Sequence, residues 1–278
     1  MNYGQRFLRE NGIERPRKET FLITQKIMKK SYLDLLIDPN LIIPFEKKKE
    51  ILKRMYKRAN GKPISKIFGV KEFYSNEFFI NSKALDPRPE TEFLVDVSKK
   101  ILEDKVDSRI DILELGVGSG CLIISILLEL SNLKTFGLGV DISNDTIRLA
   151  KKNIRKFNLE RFLKVKKSNW FSNISGKFDL IISNPPYLKT KEICMLRKEV
   201  KSYDPFISLD GGFDGLSCYR EIAKNAKHFL KENGAICLEL GFNQLERVNN
   251  IFNRFGYKKV LKEKDLQEID RVVVYKRK

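Results

Sequence analysis

The chain has few of the residues on which several common enzyme classes depend. Its 278 residues include one histidine, His228, which cannot by itself supply a Ser-His-Asp triad or a multi-histidine metal site. We therefore expect no bound metal. The four cysteines are scattered and form no C-x-x-C pair, which favours free thiols over disulfides or a zinc site. They are Cys121, Cys194, Cys218 and Cys237.

Long apolar runs are also missing. No stretch approaches the roughly 18 consecutive apolar residues of a membrane-spanning helix, and no charged-then-apolar signal segment opens the chain. Both absences predict a cytoplasmic protein with no membrane contact, and we expect it to be a monomer. The length exceeds what one small core usually organises, which predicts two domains or one domain with an extension.

Basic residues are abundant instead, and they give a formal net charge of +18. The lysines are spread over the whole chain, so the charge fits a polyanion-facing surface and an ordinary solvated surface equally well. Charge alone does not separate a nucleic-acid substrate from a protein partner that itself sits on RNA.

Three regions differ in their hydrophobic pattern. Residues 1–66 place apolar side chains at helical spacing among lysines, with breaks at Pro39 and Pro44, and hold no catalytic grouping. We predict an N-terminal helical, partner-binding domain here. Residues 67–85 are rich in aromatics around turn residues and predict a linking β-hairpin.

Residues 86–278 alternate strand and helix, which predicts an α/β fold with a doubly wound, mostly parallel seven-stranded sheet. A helix is predicted over 219–231, and the last two strands should form an antiparallel hairpin. The predicted strands are 109–115, 135–140, 162–166, 178–183, 234–240, 258–262 and 271–276.

A glycine-rich turn follows the first of these strands and precedes a helix. Its alternating glycines allow positive φ and a close approach of the backbone to a ligand. Cys121 stands where the dinucleotide fingerprint has its third glycine, and Glu114 would repel a pyrophosphate but suit a cationic group. The turn consists of Gly116, Val117, Gly118, Ser119 and Gly120.

Two residues at the ends of the next strands extend this site. Asp141 is placed to accept hydrogen bonds from ribose hydroxyls, with capping of the helix after Ser143 as the alternative. Trp170, the only tryptophan, is placed to flank an adenine ring, with core filling as the alternative. An adenosine-containing, positively charged ligand indicates S-adenosyl-L-methionine as the cofactor.

The fourth strand, 178–183, ends abruptly in Asn184-Pro185-Pro186-Tyr187. Neither proline has an N–H to donate, so the chain must leave the sheet in a stiff, extended turn. Open α/β sheets bind ligands outside the carboxyl ends of their strands. An amide, a fixed carbonyl and a ring suit a flat, nitrogen-bearing substrate, although the motif alone also fits a merely rigid turn.

From about residue 51 onward, the sequence resembles the HemK/PrmC family, which methylates the side-chain nitrogen (N5) of a glutamine in peptide-chain release factors. Asn-Pro-Pro-Tyr is shared with DNA and RNA amino-methyltransferases, whereas Pro-Arg-Pro-Glu-Thr-Glu and Gly-Gly-Phe-Asp-Gly-Leu are more specific. The segments that carry the resemblance are 60–63, 68–69 with 73, 87–92, 114–120, 178–187, 204–205, 209–216 and 219–220.

The resemblance implies a class I methyltransferase fold, Rossmann-like, over residues 86–278. It implies that residues 116–120, Asp141, Trp170 and Asn184 bind the cofactor, and that residues 184–187 bind the acceptor glutamine of the Gly-Gly-Gln motif. Asn184, Pro185 and Tyr187 would then be catalytic, with Pro186 completing the substrate-binding turn. The partner would be a release factor, and the role would be in translation termination.

Two other functions stay open on the sequence. An adenine N6-methyltransferase acting on rRNA or DNA would use the same Asn-Pro-Pro-Tyr turn on a flipped base, and the positive charge favours it. A non-catalytic, ribosome-associated binding protein could keep the fold, but the intact motifs argue against a decayed site. A nucleic-acid substrate is not expected.

Overall fold

The computed structural model describes residues 2–37, 41–103, 105 and 108–278. Pro39, one of the predicted helix breaks, lies outside them. The chain divides into two compact units, the first comprising Met1–Gly69 with Lys198–Tyr203 and the second Val70–Arg197 with Asp204–Lys278. None of the helices in the described part of the chain is long and apolar enough to cross a membrane.

The described residues form helices and strands with the following bounds. The helices are α1 (Asn2–Glu10), α2 (Pro16–Met28), α3 (Tyr32–Ile37), α4 (Phe45–Ala59), α5 (Ile64–Phe68), α6 (Glu92–Leu102), α7 (Cys121–Glu129), α8 (Asn144–Lys156), α9 (Thr190–Ile193), α10 (Lys198–Lys201), α11 (Ser217–Asn225) and α12 (Leu245–Arg254). The strands are β1 (Val70–Phe73), β2 (Asn76–Phe79), β3 (Ile110–Leu115), β4 (Thr135–Asp141), β5 (Leu163–Lys167), β6 (Phe178–Ser183), β7 (Leu230–Glu239), β8 (Tyr257–Lys264) and β9 (Asp270–Arg277).

The first unit is a helical body around its own apolar cluster, to which α1, α2 and α4 contribute. The guanidinium of Arg58 on α4 is 4% exposed and is paired with the carboxylates of Glu19 on α2 and Glu199 on α10. A buried charge is tolerated when it is paired and hydrogen-bonded, so this cluster ties three helices together.

The second unit contains a seven-stranded sheet of order β5-β4-β3-β6-β7-β9-β8. The first five strands in that order pair in parallel, and β9 pairs antiparallel with both β7 and β8. The predicted fold class is therefore confirmed. The chain winds outward from β3 through β4 to β5 and then crosses to β6, so the strand order reverses between β3 and β6. Ligands of doubly wound sheets bind at such a switch point.

Apolar side chains cover both faces of the sheet. Alternate strand residues point to opposite faces, so Ile112 belongs to a cluster with α6, α7 and α8, whereas Leu113 belongs to one with α11 and α12. A strand buried on both faces is mostly apolar, as β3 and β6 are, with Asp111, Glu114, Asp179 and Ser183 as their polar residues.

Two predicted segments have different limits in the structure. The hairpin predicted from residue 67 begins at Val70, because residues 64–68 form α5, which ends at Gly69 in the left-handed conformation (φ 74°). The helix predicted over 219–231 ends at Asn225 and continues as a 3-10 turn to Phe229. Leu230 is instead the first residue of β7, because it pairs with Phe178 and is fully buried there.

Candidate active site

The two motifs singled out in the sequence lie at the carboxyl ends of neighbouring strands. The glycine-rich turn follows β3, and Asn184-Pro185-Pro186-Tyr187 follows β6, its parallel neighbour. The Ser183 hydroxyl donates to the Leu115 carbonyl at 2.8 Å and so joins the two strand ends. Both turns therefore border the switch point of the sheet.

The glycine-rich turn is open on its outer side. All three of its glycines have positive φ, at 75°, 52° and 81°. A Cβ built on Gly116 would meet nothing within 4 Å, and one on Gly118 would meet only the Gly116 carbonyl at 3.9 Å. The backbone N–H groups of Gly116 and Val117 both donate to the Val140 carbonyl at 2.9 Å. The turn is thus anchored to β4 while space remains beside its backbone.

Glu114 lies beneath this turn and faces the protein interior. It is 3% exposed, and its Oε2 accepts the backbone N–H of Ile123 in the first turn of α7 at 3.2 Å. Burial raises the pKa of this carboxyl well above its usual value. This hydrogen bond holds the end of β3 against the start of α7, and the expectation that Glu114 suits a cationic ligand stays a prediction.

Asn153 on α8 supports the same turn and was not identified from the sequence. Its fully buried amide donates to the carbonyls of Ser119 and Phe79, at 2.8 and 2.9 Å, and accepts the Phe79 N–H at 2.8 Å. It therefore ties β2 to the glycine-rich turn. An isolated asparagine in an amphipathic helix gives no signal of this, because both partners come from distant segments.

Asp141 connects the ends of β3 and β4. Its Oδ2 accepts the Gly118 N–H at 3.0 Å, and its Oδ1 accepts the Ser143 N–H at 2.9 Å. The cap of α8 is Ser143, whose hydroxyl accepts from the N–H groups of Asp145 and Thr146. A carboxylate has about four acceptor positions, so Asp141 retains capacity for ribose hydroxyls.

Trp170 follows β5, one strand beyond Asp141 on the same sheet edge. It has a positive φ of 49° and is half-buried against the cluster on the α11 side of the sheet. Ser168 fixes the loop, since its N–H donates to the Asp141 carbonyl at 3.0 Å and its hydroxyl donates to the Trp170 carbonyl at 2.8 Å. The indole is thus partly core filling and partly accessible.

A second loop, residues 209–216, supports the Asn-Pro-Pro-Tyr turn. A Cβ on Gly211 would lie 2.9 Å from the Pro186 carbonyl oxygen and from the Tyr187 Cα, and one on Gly215 would lie 2.6 Å from the Tyr187 carbonyl oxygen. Gln244, missed in the sequence, donates to that oxygen at 2.8 Å. The Gly-Gly-Phe-Asp-Gly-Leu motif is thus explained by close backbone contact.

Asn184 is joined to a buried carboxylate through Thr91 of the Pro-Arg-Pro-Glu-Thr-Glu segment. The Asn184 Nδ2 donates to the Thr91 hydroxyl at 3.0 Å, and that hydroxyl donates to Glu239 Oε2 at 2.6 Å. The Tyr187 hydroxyl approaches Glu239 Oε1 at 3.5 Å. Burial raises the pKa of Glu239 to about 7 and that of Tyr187 well above its usual value. Glu239, at the end of β7, was also missed in the sequence.

The start of the same segment is held by Asp204, whose carboxylate is almost fully buried. It accepts the Asp86 backbone N–H at 3.2 Å and pairs with the Arg88 guanidinium at 2.7 Å. Arg88 and Thr91 are thus anchored at different points, which fixes the segment across the carboxyl end of the sheet.

The strand order and the switch-point site define a class I, Rossmann-like methyltransferase fold. A solved ribosomal protein L11 methylase from Lactobacillus delbrueckii subsp. bulgaricus has this fold, with a TM-score of 0.51 at 17% identity over 75% of this chain and 90% of its own. Family models match residues 91–200 as a methyltransferase small domain and residues 1–69 as a PrmC N-terminal domain.

Among sequence relatives, the release factor glutamine methyltransferase of Agrobacterium fabrum is 36% identical over 97% of this chain and 93% of its own length. The chain therefore belongs to the release factor glutamine methyltransferase family. A bifunctional methyltransferase of Rickettsia typhi is 40% identical over 96% of this chain, but the chain spans only 54% of that relative's length.

Membership of this family makes S-adenosyl-L-methionine the cofactor. The residues present fit it. The outer side of the glycine-rich turn is free of side chains at Gly116 and Gly118, and Asp141 places an acceptor carboxylate beside that space. When bound, this cofactor supplies an electrophilic methyl group on a sulfonium.

Proposed function

We propose that the protein methylates the side-chain amide nitrogen of a glutamine in peptide-chain release factors. Two unused acceptors on the Asn-Pro-Pro-Tyr turn carry the proposal. Within the described part of the chain, no group donates to Asn184 Oδ1 or to the Pro185 carbonyl, whereas the Tyr187 carbonyl is taken by Gln244. A primary amide has two N–H donors, which matches two fixed oxygens.

The two acceptor oxygens would compensate for the low nucleophilicity of the glutamine nitrogen. An amide nitrogen is a poor nucleophile because its lone pair is delocalised into the carbonyl. Acceptance of its two N–H groups by Asn184 and Pro185 turns the nitrogen towards the methyl donor and places dipoles where positive charge develops. Tyr187 packs against the planar amide, and Pro186 keeps the turn stiff. As the nitrogen takes the methyl group, the carbon–sulfur bond of the sulfonium breaks and leaves a neutral thioether. The methylated nitrogen is strongly acidic and loses one of its protons to water by way of the oxygen that accepts it, so no strong general base is needed.

The cofactor would be held by the glycine-rich turn, Asp141 and Trp170, with Asn184 at the border between the two ligands. Among the residues of the turn, the backbone around Gly116 and Gly118 offers close approach, and Val117, Ser119 and Gly120 complete the loop. Asp141 would accept the ribose hydroxyls. This assignment follows from the open space beside the turn and the spare acceptor capacity of Asp141.

The segment of the release factor that carries the glutamine would also meet an apolar surface of this protein beside the Asn-Pro-Pro-Tyr turn. Phe213 is 91% exposed on the 209–216 loop, whose backbone contacts Tyr187. Exposed aromatic side chains on a fixed backbone are frequent anchors of protein interfaces. The helical unit would bind a further part of the release factor. The protein would act as a monomer in the cytoplasm, where translation termination takes place.

The test is methyl transfer from isotopically labelled cofactor to purified release factor, with rRNA and DNA assayed in parallel. The proposal predicts label in the release factor alone. Label only in nucleic acid would replace it with the adenine N6-methyltransferase, which the charge of +18 favours. Absence of label from every acceptor, with cofactor binding intact, would indicate the non-catalytic binding protein.

A further inference from the structure

We infer that Thr91 and Glu239 are positioning residues that determine which atom of the Asn184 side-chain amide faces the acceptor. This inference rests on the proposed function, because it concerns the orientation of an amide that would hold the substrate. The three side chains come from three separate elements: the 3-10 turn before α6, the end of β6 and the end of β7.

The geometry is a short chain of hydrogen bonds that ends inside the protein. Asn184 Nδ2 lies 3.0 Å from the Thr91 hydroxyl, which lies 2.6 Å from Glu239 Oε2. Thr91 is 5% exposed and Glu239 is 1% exposed, whereas Asn184 is half-buried. Glu239, at the buried end of this series of hydrogen bonds, is therefore fixed, whereas Asn184 at the other end reaches the site.

Which group donates in each of these hydrogen bonds follows from which atoms have protons. An ionised carboxylate only accepts, so the single hydroxyl proton of Thr91 must point to Glu239. The Thr91 oxygen is then left with lone pairs and can only accept, which selects Nδ2 of Asn184 as its partner. The amide oxygen Oδ1 consequently faces away from Thr91, and no group within the described residues donates to it.

A reversed orientation of the Asn184 side-chain amide would prevent it from accepting the substrate N–H, even though Asn184 is still present. If Glu239 is protonated, it can donate to Thr91, whose own proton can then go to Asn184 Oδ1. The amide would turn over and present Nδ2 to the substrate, so that an N–H donor would face another N–H donor. Charge on Glu239 therefore favours the acceptor orientation.

The groups around Glu239 determine when it carries that charge. Tyr187 approaches Oε1, Thr91 donates to Oε2, and the buried Tyr219 of α11 donates to the Glu239 backbone carbonyl at 2.9 Å. The Arg271 guanidinium and the Glu90 carboxylate act on Glu239 electrostatically. Burial outweighs the hydrogen bonds and the arginine and raises the pKa of Glu239 to about 7. Methyl transfer should therefore increase as pH rises through neutrality.

The experiment compares Thr91→Val, Thr91→Ser and Glu239→Gln with the unmodified protein. Valine keeps the shape of threonine without its hydroxyl, so we expect kcat for release factor to fall about 10- to 100-fold, in the range of lost supporting hydrogen bonds. Serine restores the hydroxyl and should return kcat to within about threefold of normal. Affinity for S-adenosyl-L-methionine should stay unchanged in all three, and the rise of kcat through neutrality should disappear in Glu239→Gln.

Normal kcat in Thr91→Val, or the same pH profile in Glu239→Gln as in the unmodified protein, would overturn the inference while leaving the proposed function standing. A measurement made without the release factor separates the inference about Thr91 and Glu239 from the proposed function. Exchange of the Asn184 side-chain amide protons, followed by NMR in the full chain, should be slower with threonine or serine at position 91 than with valine. Equal exchange rates would overturn the inference even if the release factor proved not to be the substrate.

Discussion

The two turns at the switch point use glycine in opposite ways. In the 116–120 turn, glycines lie in the loop itself, and a Cβ on Gly116 would meet only open space. In the Asn184–Tyr187 turn, the loop has no glycine, and the glycines lie in its neighbours, where a Cβ on Gly211 or Gly215 would be 2.6–2.9 Å from its backbone. One turn keeps open space beside its backbone, whereas the shape of the other is fixed by close contact with a supporting loop.

The substitution Gly215→Ala disturbs the close contact between the 209–216 loop and the Tyr187 backbone. The matched control is Gly176→Ala. Both glycines have positive φ, 76° and 90°, but a Cβ on Gly176 meets nothing within 4 Å. Both variants should carry the backbone strain, about 1–2 kcal/mol. Gly215→Ala should lose about 1–3 kcal/mol more in unfolding free energy through overpacking against Tyr187, and about 100-fold in kcat through displacement of the turn. Denaturant titration and turnover measure the two effects.

Equal stability and equal turnover of these two variants would show that the 209–216 loop does not shape the Asn-Pro-Pro-Tyr turn. Cofactor affinity should stay normal in both, because neither position touches the 116–120 turn.

The substitution Gly116→Ala places a methyl group in the open space beside the 116–120 turn. The control is Gly12→Ala in the helical unit. Their φ values are 75° and 76°, and neither Cβ would meet any protein atom within 4 Å. The two should lose similar unfolding free energy, about 1–2 kcal/mol. Only Gly116→Ala should weaken the binding of S-adenosyl-L-methionine, by about tenfold, because the methyl group takes ligand space. Calorimetric titration with the cofactor would detect this, and unchanged affinity would remove the turn from the cofactor site.

The smallest effect is expected at Phe213, where we propose that the supporting loop meets the release factor. Phe213→Ala should raise KM for release factor by about fivefold, without a change in kcat or in cofactor affinity, because it removes an exposed aromatic anchor. Leu266→Ala is the control, since Leu266 is 95% exposed on the turn between β8 and β9. A KM for Phe213→Ala that matches the Leu266→Ala value would exclude Phe213 from the interface.

The sequence predicts the two turns well because each is local: an apolar strand runs directly into residues whose backbone chemistry is distinctive. It does not predict what holds them. Thr91 and Glu239 are 148 residues apart, and Tyr187 and Gln244 are 57 apart, so only the parallel crossovers of the sheet bring them together. The helix predicted over 219–231 was too long for the same reason, since pairing of Leu230 with Phe178 overrides local propensity.

Helix α1 lies within residues 1–66, which the sequence predicts to be helical. Gly4 lies inside this helix, although glycine has a low intrinsic helix propensity. In the structure Gly4 is buried, and a Cβ there would lie 2.5 Å from the Met55 methyl group. Close packing against α4 therefore explains a glycine that local propensity disfavours.

The proposed role of the Asn184–Tyr187 turn is that its fixed oxygens hold a glutamine amide for methylation. The most direct measurement is the mass and fragment map of release factor after incubation with S-adenosyl-L-methionine and either the unmodified protein or Asn184→Ala. We expect one added methyl on a glutamine with the unmodified protein, and at least about 100-fold slower addition by Asn184→Ala with cofactor affinity largely retained. A methyl mapped to any other residue, or equal rates for the two proteins, would contradict it.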